Sequence, residues 1–333
     1  MKKEFDFIAI GDITTDAFIK LKPENAHIVC DSMGKKCQIC MNFGDKVEYE
    51  SVTEIFAVGN SSNAAVSARR LGISSALVAH VGDDYYGTKK LETLKKEKVD
   101  TCFVKVHKNK KSNYHYVLWY EEERTILVKH EEYGYQLPDI GKPQWIYLSS
   151  LGENSISFHK DIAAFLQKNN EVLLAFQPGT FQIKLGYETL KELYGLSHLF
   201  FCNVEEAQKI LKLKDRDIQK LLRALHNLGP KTVVVTDGPG GAYAFDGECM
   251  WHIPMYPDFA SPVDRTGAGD SFASTFTVMI FLGKTVPEAL AYAPINSASV
   301  VQKIGAQEGL LSLDTLESWL KKAPENYKPK RIA

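Results

Sequence analysis

Residues 263–283 read Val-Asp-Arg-Thr-Gly-Ala-Gly-Asp-Ser-Phe-Ala-Ser-Thr-Phe-Thr-Val-Met-Ile-Phe-Leu-Gly. Gly267, Ala268 and Gly269 have almost no side chain, so their backbone N–H groups can converge on an anion. The stretch after them has the composition of a helix, and a helix N-terminus favours negative charge there. Such a nest suits a transferring phosphoryl group. Asp270, at the start of that helix, would stand beside the nest, able to take a proton from an attacking hydroxyl. The same letters also fit a Gly-rich turn with an acidic first-turn residue that complements the dipole, and short glycine motifs have a real false-positive rate.

Away from this segment, strands and helices alternate, the pattern of a mainly parallel sheet with helices on both faces. Strands are expected at Phe5–Gly11, Ala76–Val81, Trp145–Leu148, Val172–Phe176, Leu199–Cys202 and Thr232–Thr236. Helices are expected at Ser61–Leu71, Tyr86–Lys98, Phe158–Lys168, Glu205–Leu213, Ala268–Leu282 and Ile295–Lys303. Two stretches break the alternation. Residues 13–58 carry turn formers with no convincing helix, and Thr101–His130 holds two period-two runs joined by Glu121-Glu122-Glu123, a β-hairpin by pattern. About residues 13–58 and 101–130 are therefore expected to form a small β-lid over a site, within a single domain spanning 1–333. The basic tail Tyr327–Ala333 reads as a frayed terminus.

Hydrophobic residues make up 44% and charged residues 24% of the 333, an ordinary globular balance. Forty Lys+Arg against 41 Asp+Glu give a net charge of -1, which argues against a protein whose work is gripping nucleic acid or an anionic membrane. The start, Met-Lys-Lys-Glu-Phe-Asp-Phe-Ile-Ala-Ile, reads as a first strand with no signal-peptide core, and no apolar run approaches the ~20 residues of a membrane span, so a cytoplasmic protein is expected. Six cysteines do not make a disulfide framework. Cys102, Cys202 and Cys249 sit in apolar contexts. Cys30, Cys37 and Cys40 offer one zinc-like spacing without a second pair, so ordinary thiols are expected ahead of a structural zinc.

The sequence resembles the ribokinase-like (PfkB) carbohydrate kinases, whose C-terminal signature has the form Asp-Thr-x-Gly-Ala-Gly-Asp. The likeness extends over nearly the whole chain. Gly11-Asp12-Ile13-Thr14-Thr15-Asp16 resembles the family's opening segment, and Gly59-Asn60-Ser61-Ser62-Asn63 with Arg70-Leu71-Gly72 its N-terminal glycine signature. Val81-Gly82-Asp83, Asn203-Val204-Glu205-Glu206, Val235-Thr236-Asp237-Gly238 with Gly241, and Gly305-Ala306 fall in the family's order.

The resemblance implies a ribokinase-like doubly wound α/β fold and ATP-dependent phosphoryl transfer to a primary hydroxyl of a small sugar, a nucleoside being the alternative acceptor. It implies Asp270 as base and Gly267, Ala268 and Gly269 as holders of transition-state charge. Asn203 and Glu206 would organise Mg2+ through water, although Asn at an N-cap with Glu three residues on is also a plain capping box. Thr236, Gly238, Gly241 and Asn296 would face ATP. Asp16, Gly59, Asn63 and Glu153 would meet the acceptor, and Asp264 with Thr266 would mark a site for a monovalent cation such as K+. Partners are then a small molecule, with no nucleic acid or membrane, and any homodimer would form through the β-lid.

Three positions depart from the family pattern. Arg265 replaces the usual Thr or Ser, Val58 stands where a first glycine is expected, and Gln177 occupies a strand end where relatives often carry Asp. A dinucleotide-dependent oxidoreductase fits poorly, because no Gly-x-Gly-x-x-Gly opens the first βα turn. A ligand-binding regulator on the same fold is the other rival, opposed by the intact Asp270 and its nest.

Overall fold

The computed structural model describes residues 4–31, 37–121, 123–258 and 260–333. The first strand, β1 (Phe7–Ile10), is apolar at every position because both of its faces are covered: Phe7 and Ala9 enter one core, Ile8 and Ile10 the other. The chain then leaves to build β2 (Thr14–Leu21), the short β3 (His27–Cys30) and β4 (Cys37–Cys40), and β5 (Tyr49–Val58). Helix α1 (Asn60–Arg70) and strand β6 (Ser75–Gly82) return it to the main body, followed by α2 (Tyr85–Lys96) and β7 (Val104–His107). A second excursion makes β8 (Tyr114–Tyr120) and β9 (Glu123–Leu127). Regular alternation resumes with β10 (Trp145–Leu148), α3 (Ile156–Lys168), β11 (Leu173–Phe176), α4 (Thr180–Leu185), α5 (Tyr187–Leu196), β12 (Ser197–Asn203), α6 (Val204–Leu211), α7 (Ile218–His226) and β13 (Thr232–Thr236). The remainder comprises β14 (Ala242–Phe245), β15 (Met250–Ile253), α8 (Ala268–Phe281), α9 (Val286–Val300), α10 (Leu313–Lys321) and β16 (Lys330–Arg331).

The main sheet runs β16-β15-β14-β13-β12-β11-β10-β1-β6-β7 and is parallel from β13 to β7, with an antiparallel edge of β14, β15 and β16. Residues of α1, α8, α9 and α10 pack one face, and residues of α3, α5, α6 and α7 the other. A second sheet, β5-β2-β8-β9, draws its strands from both excursions and forms the lid. Val104–His107, expected in the lid, instead pairs in parallel with β6 at the edge of the main sheet, so that the lid part of this segment begins at Tyr114. β8 and β9 make the expected hairpin, of which Glu122 lies outside the described residues.

Three other expectations change. Helix α9 begins at Val286, well before Ile295, on a capping box of Thr285 and Glu288; Pro294 inside it suggests a break, yet the helix continues past it. The tail is docked: Tyr327 is buried and donates to Ala291 O at 2.7 Å, and β16 pairs with β15. Cys30 and Cys37 oppose each other in the β3–β4 ladder and are joined by a disulfide. They are neither free thiols nor thiolate ligands, and Cys40 alone of the three is free. Among the described residues no helix is long and apolar enough to cross a membrane.

Candidate active site

The carboxyl ends of the parallel strands border one cleft, the usual ligand position in an open α/β sheet. Ser150, after β10, and Gln177, after β11, line it, while Asp12 after β1 and Asn203 at the end of β12 are not among its lining residues. The lid closes the other side. The cleft has a volume of about 570 Å³, and among its lining residues are Asp16, Asn63, His115, Arg124, Gln177 and Asp270.

Asp270 lies in the first turn of α8, against α1. Small residues make that approach possible: Ser61, Ser62, Ala64 and Ala65 on α1, Ala268 and Ala273 on α8. The Asp270 carboxylate accepts three amide hydrogen bonds, from Asn60 Nδ2 at 2.7 Å, Asn63 Nδ2 at 2.8 Å and, more loosely, Gln177 Nε2 at 3.3 Å. Burial raises its pKa above the ordinary carboxylate value, and the three amides and the nearby Arg124 oppose that rise without cancelling it. Gly267 is the N-cap of α8 at φ 80°, a conformation that favours glycine, and an added Cβ would meet Ala306 Cβ at 2.2 Å. Ala268 N makes only a long contact to Arg265 O at 3.5 Å, and the first N–H groups of a helix have no acceptor within it, which suits them to an anion.

Asp16 lies on β2, 6% exposed, with its Oδ1 buried and unbonded among the described residues. His115 Nδ1 stands 3.5 Å from it. Gly59, at φ 115°, is required by the backbone itself, since a Cβ would strike Asp12 O at 2.8 Å. Val58 is buried and lines the cleft. Two expected acceptor contacts are placed differently. Asn63 lines the cleft, but its amide is taken at both ends, donating to Asp270 and accepting from Gln307 Nε2 at 2.9 Å. Glu153 points into solvent, its side chain 69% exposed and 3.8 Å from Lys184, outside the cleft lining.

Asn203 and Glu206 form a reciprocal capping box: Glu206 N donates to Asn203 Oδ1 at 2.8 Å, and Asn203 N donates to Glu206 Oε2 at 2.9 Å. The cap does not exclude a second role. Glu206 lines the cleft, and burial, aided by the charge of Asp270, raises its pKa above the usual glutamate value.

Beside the nest lies a more apolar recess of about 260 Å³, where Gly238, Gly241, Ala268, Phe272, Ser297 and Ala298 are among the lining residues. Thr236 ends β13 beside Asn203 and Ala242 and is not among those residues. Asn296 points away into the interior, donating to Thr275 Oγ1 at 2.8 Å and accepting from Leu311 N at 3.0 Å, while the next residue on α9, Ser297, faces the recess. Arg265 borders both cavities and approaches Glu123 of the lid at 3.9 Å. The Asp264 carboxylate accepts from Thr266 N, Thr266 Oγ1 and Gly305 N.

Residues that sequence reading passed over support this arrangement. Asp12 accepts from Tyr135 Oη, His130 Nδ1 and Gly152 N, tying the 130–135 segment to β1. Arg124 crosses from the lid, its Nε 3.7 Å from Asp264 Oδ1. Only an acid directly after a strand hinted at Asp12, and nothing local marked Arg124.

Ribokinase of Bacillus subtilis (strain 168) is 26% identical over 267 residues, covering 79% of this chain and 87% of that protein. Fructoselysine 6-kinase of Escherichia coli (strain K12) is 26% identical over 269 residues, covering 78% and 94%. The structure of Arabidopsis thaliana ribokinase complexed with ribose and ATP matches with a TM-score of 0.76 at 20% identity, covering 96% of this chain and 99% of that one, a likeness of fold. The profile of the pfkB family carbohydrate kinases matches residues 29–313, most of the sequence, and the chain belongs to that family.

Proposed function

We propose that this protein transfers the γ-phosphoryl group of ATP to a primary hydroxyl of a small sugar bound beneath the lid. One observation carries the reading: Asp270, buried and held by three amides, stands at the N-terminus of α8 in the same cleft as the unsatisfied carboxylate of Asp16. Asp16 accepts hydrogen bonds from acceptor hydroxyls and sets the orientation of the sugar. Asp270 takes the proton of the attacking hydroxyl. The N–H groups of the 267–269 turn hold charge on the transferred group, and the lid keeps water from competing. The adenine end of ATP fits the recess lined by Gly238, Gly241, Phe272 and Ala298.

Glu206 fits a role in holding magnesium through water, because its Oε1 makes no hydrogen bond to the described residues while Oε2 serves the cap. Magnesium, when bound, neutralises charge on the phosphates. The Asp264 site fits a potassium ion poorly: three donors and the Arg124 guanidinium already serve that carboxylate, and no step is assigned to such an ion. A nucleoside acceptor is the second reading, favoured by the aromatic ring of Phe181 in the cleft lining, on which Lys184 and His130 already pack.

The test is ADP formation from ATP and Mg2+ across D-ribose, D-fructose, other small sugars and adenosine. Turnover that depends on one acceptor supports the proposal. Binding of a sugar with no turnover on any acceptor would favour the regulator reading.

A further inference from the structure

Gln177 stands at a strand end where a second carboxylate could have faced the base, and its surroundings decide which end of its amide faces Asp270. Its Oε1 accepts a hydrogen bond from Tyr147 Oη, whose ring is fully buried on β10. A tyrosine hydroxyl can donate or accept, whereas an ionised carboxylate only accepts, so the NH2 end faces Asp270 Oδ1 at 3.3 Å and Tyr147 supplies the matching donor to Oε1. The other side of the base is built alike. Asn63 accepts from Gln307 Nε2, which turns its own NH2 toward Asp270 Oδ2. Both amides thus face Asp270 with a donor and have their oxygens served from behind.

We propose that Gln177, oriented by Tyr147, is a positioning residue for the phosphoryl-transfer base: it presents a donor to Asp270 and keeps a second negative charge out of contact with it. The inference rests on the assignment of Asp270 as base. It goes further in assigning Tyr147, which lies behind Gln177, a part in the chemistry through a single intermediate side chain.

Charged and titratable groups facing Asp270 come from three elements: Arg124 on β9 favours its ionised form, Glu206 on α6 disfavours it, and Tyr147 on β10 adds a group whose own pKa is raised far above normal, chiefly by burial. Against that background a change at Gln177 acts at hydrogen-bond range. In Gln177→Glu two carboxylates would share the space, and one of them must hold its proton to higher pH. Gln177→Met removes the donor with little change of volume. Tyr147→Phe leaves Gln177 in place but frees its amide to turn.

The experiment is a carboxylate 13C NMR titration of the full-length protein labelled at aspartate Cγ, without ligands, in which Asp270→Asn identifies the Asp270 signal. Gln177→Glu is expected to raise the Asp270 midpoint by at least ~1 pH unit, with smaller upward shifts in Gln177→Met and Tyr147→Phe. Tyr147→Phe should add nothing in the Gln177→Met background. An unmoved midpoint in Gln177→Glu, or a Tyr147→Phe shift that persists without Gln177, overturns the inference. Should Tyr147→Phe fail to fold, the two Gln177 variants still decide it. Full turnover by Asp270→Asn would instead remove the base assignment itself, a separate failure with a separate readout.

Discussion

Arg124 Nε lies 3.7 Å from Asp264 Oδ1, so a side chain of lid strand β9 meets the turn that leads into the anion nest. That Nε is buried and makes no hydrogen bond among the described residues, so the contact is electrostatic and open to adjustment when a phosphate arrives. Arg124→Met keeps much of the side-chain volume and removes the charge. The expected result is a fall in kcat/KM of roughly 10- to 100-fold, with a larger share of ATP lost to water, because the lid closes less firmly. Measuring ADP formation against phosphorylated acceptor checks both. An unchanged ratio would mean that Arg124 has no part in closure.

Asp16 carries a buried, unsatisfied oxygen in the acceptor half of the cleft. Asp16→Ala should lower kcat/KM for the acceptor by an amount equivalent to about 2–4 kcal/mol while ATP affinity stays within twofold. Paired titrations with ATP and with the acceptor that supports turnover decide the matter. Loss of ATP affinity with acceptor binding intact would reverse the orientation assigned to the cleft.

Glu206 lines the cleft and has one oxygen in a helix cap, the other making no hydrogen bond to the described residues. Gln can still accept the Asn203 N–H, so Glu206→Gln should keep the thermal midpoint close to wild type yet need several-fold more Mg2+ for half-maximal rate. A lowered midpoint with an unchanged Mg2+ response would leave the cap as the residue's whole contribution.

The nest, Asp270, Asp16 and the Asn203–Glu206 pair were legible because each is a local pattern: small residues before a helix, an acid close after a strand, a cap with its N3 partner. The same holds for the buried parallel strands, whose apolar runs follow from coverage on both faces. What escaped reading is non-local. Gln307 reaches Asn63 across 244 positions and Asn60 reaches Asp270 across 210, and no spacing rule connects such pairs. Asn63 therefore read as an acceptor contact alone, although it also donates to Asp270 and accepts from Gln307. Asn296 failed by one helical position, since a shift of one residue turns a side chain by about 100° around the axis. The tail read as frayed from its charge, although Tyr327 anchors it in the core.

His159 ties the cleft wall to pH. Its Nδ1 donates to Ser155 O at 2.7 Å and its Nε2 accepts from Gln182 Nε2 at 2.9 Å, while Gln182 Oε1 holds Gly179 N at 2.7 Å. A protonated imidazole would face the Gln182 NH2 with a second donor. Burial accordingly lowers the His159 pKa to about 4. The unfolded chain titrates near 6.5, so between those values it binds more protons than the folded one, and stability falls as pH drops from about 6.5 toward about 4. His159 alone should account for a loss on the order of 3 kcal/mol across that window. Urea unfolding at pH 7 and pH 4.5 should show a smaller difference in His159→Gln than in wild type; equal differences would contradict the neutral assignment.

The most direct measurement of the central claim is the turnover of Asp270→Asn beside its ATP affinity. Asn preserves the shape and keeps one oxygen, which can still accept from Asn60 and Gln177 while its NH2 replaces the oxygen that served Asn63; the change is confined to that contact, so fold and nucleotide binding should persist. With the base gone, kcat should fall by at least ~100-fold while the ATP dissociation constant stays within twofold. Near-normal turnover would contradict the assignment of Asp270 as the group that takes the acceptor's proton.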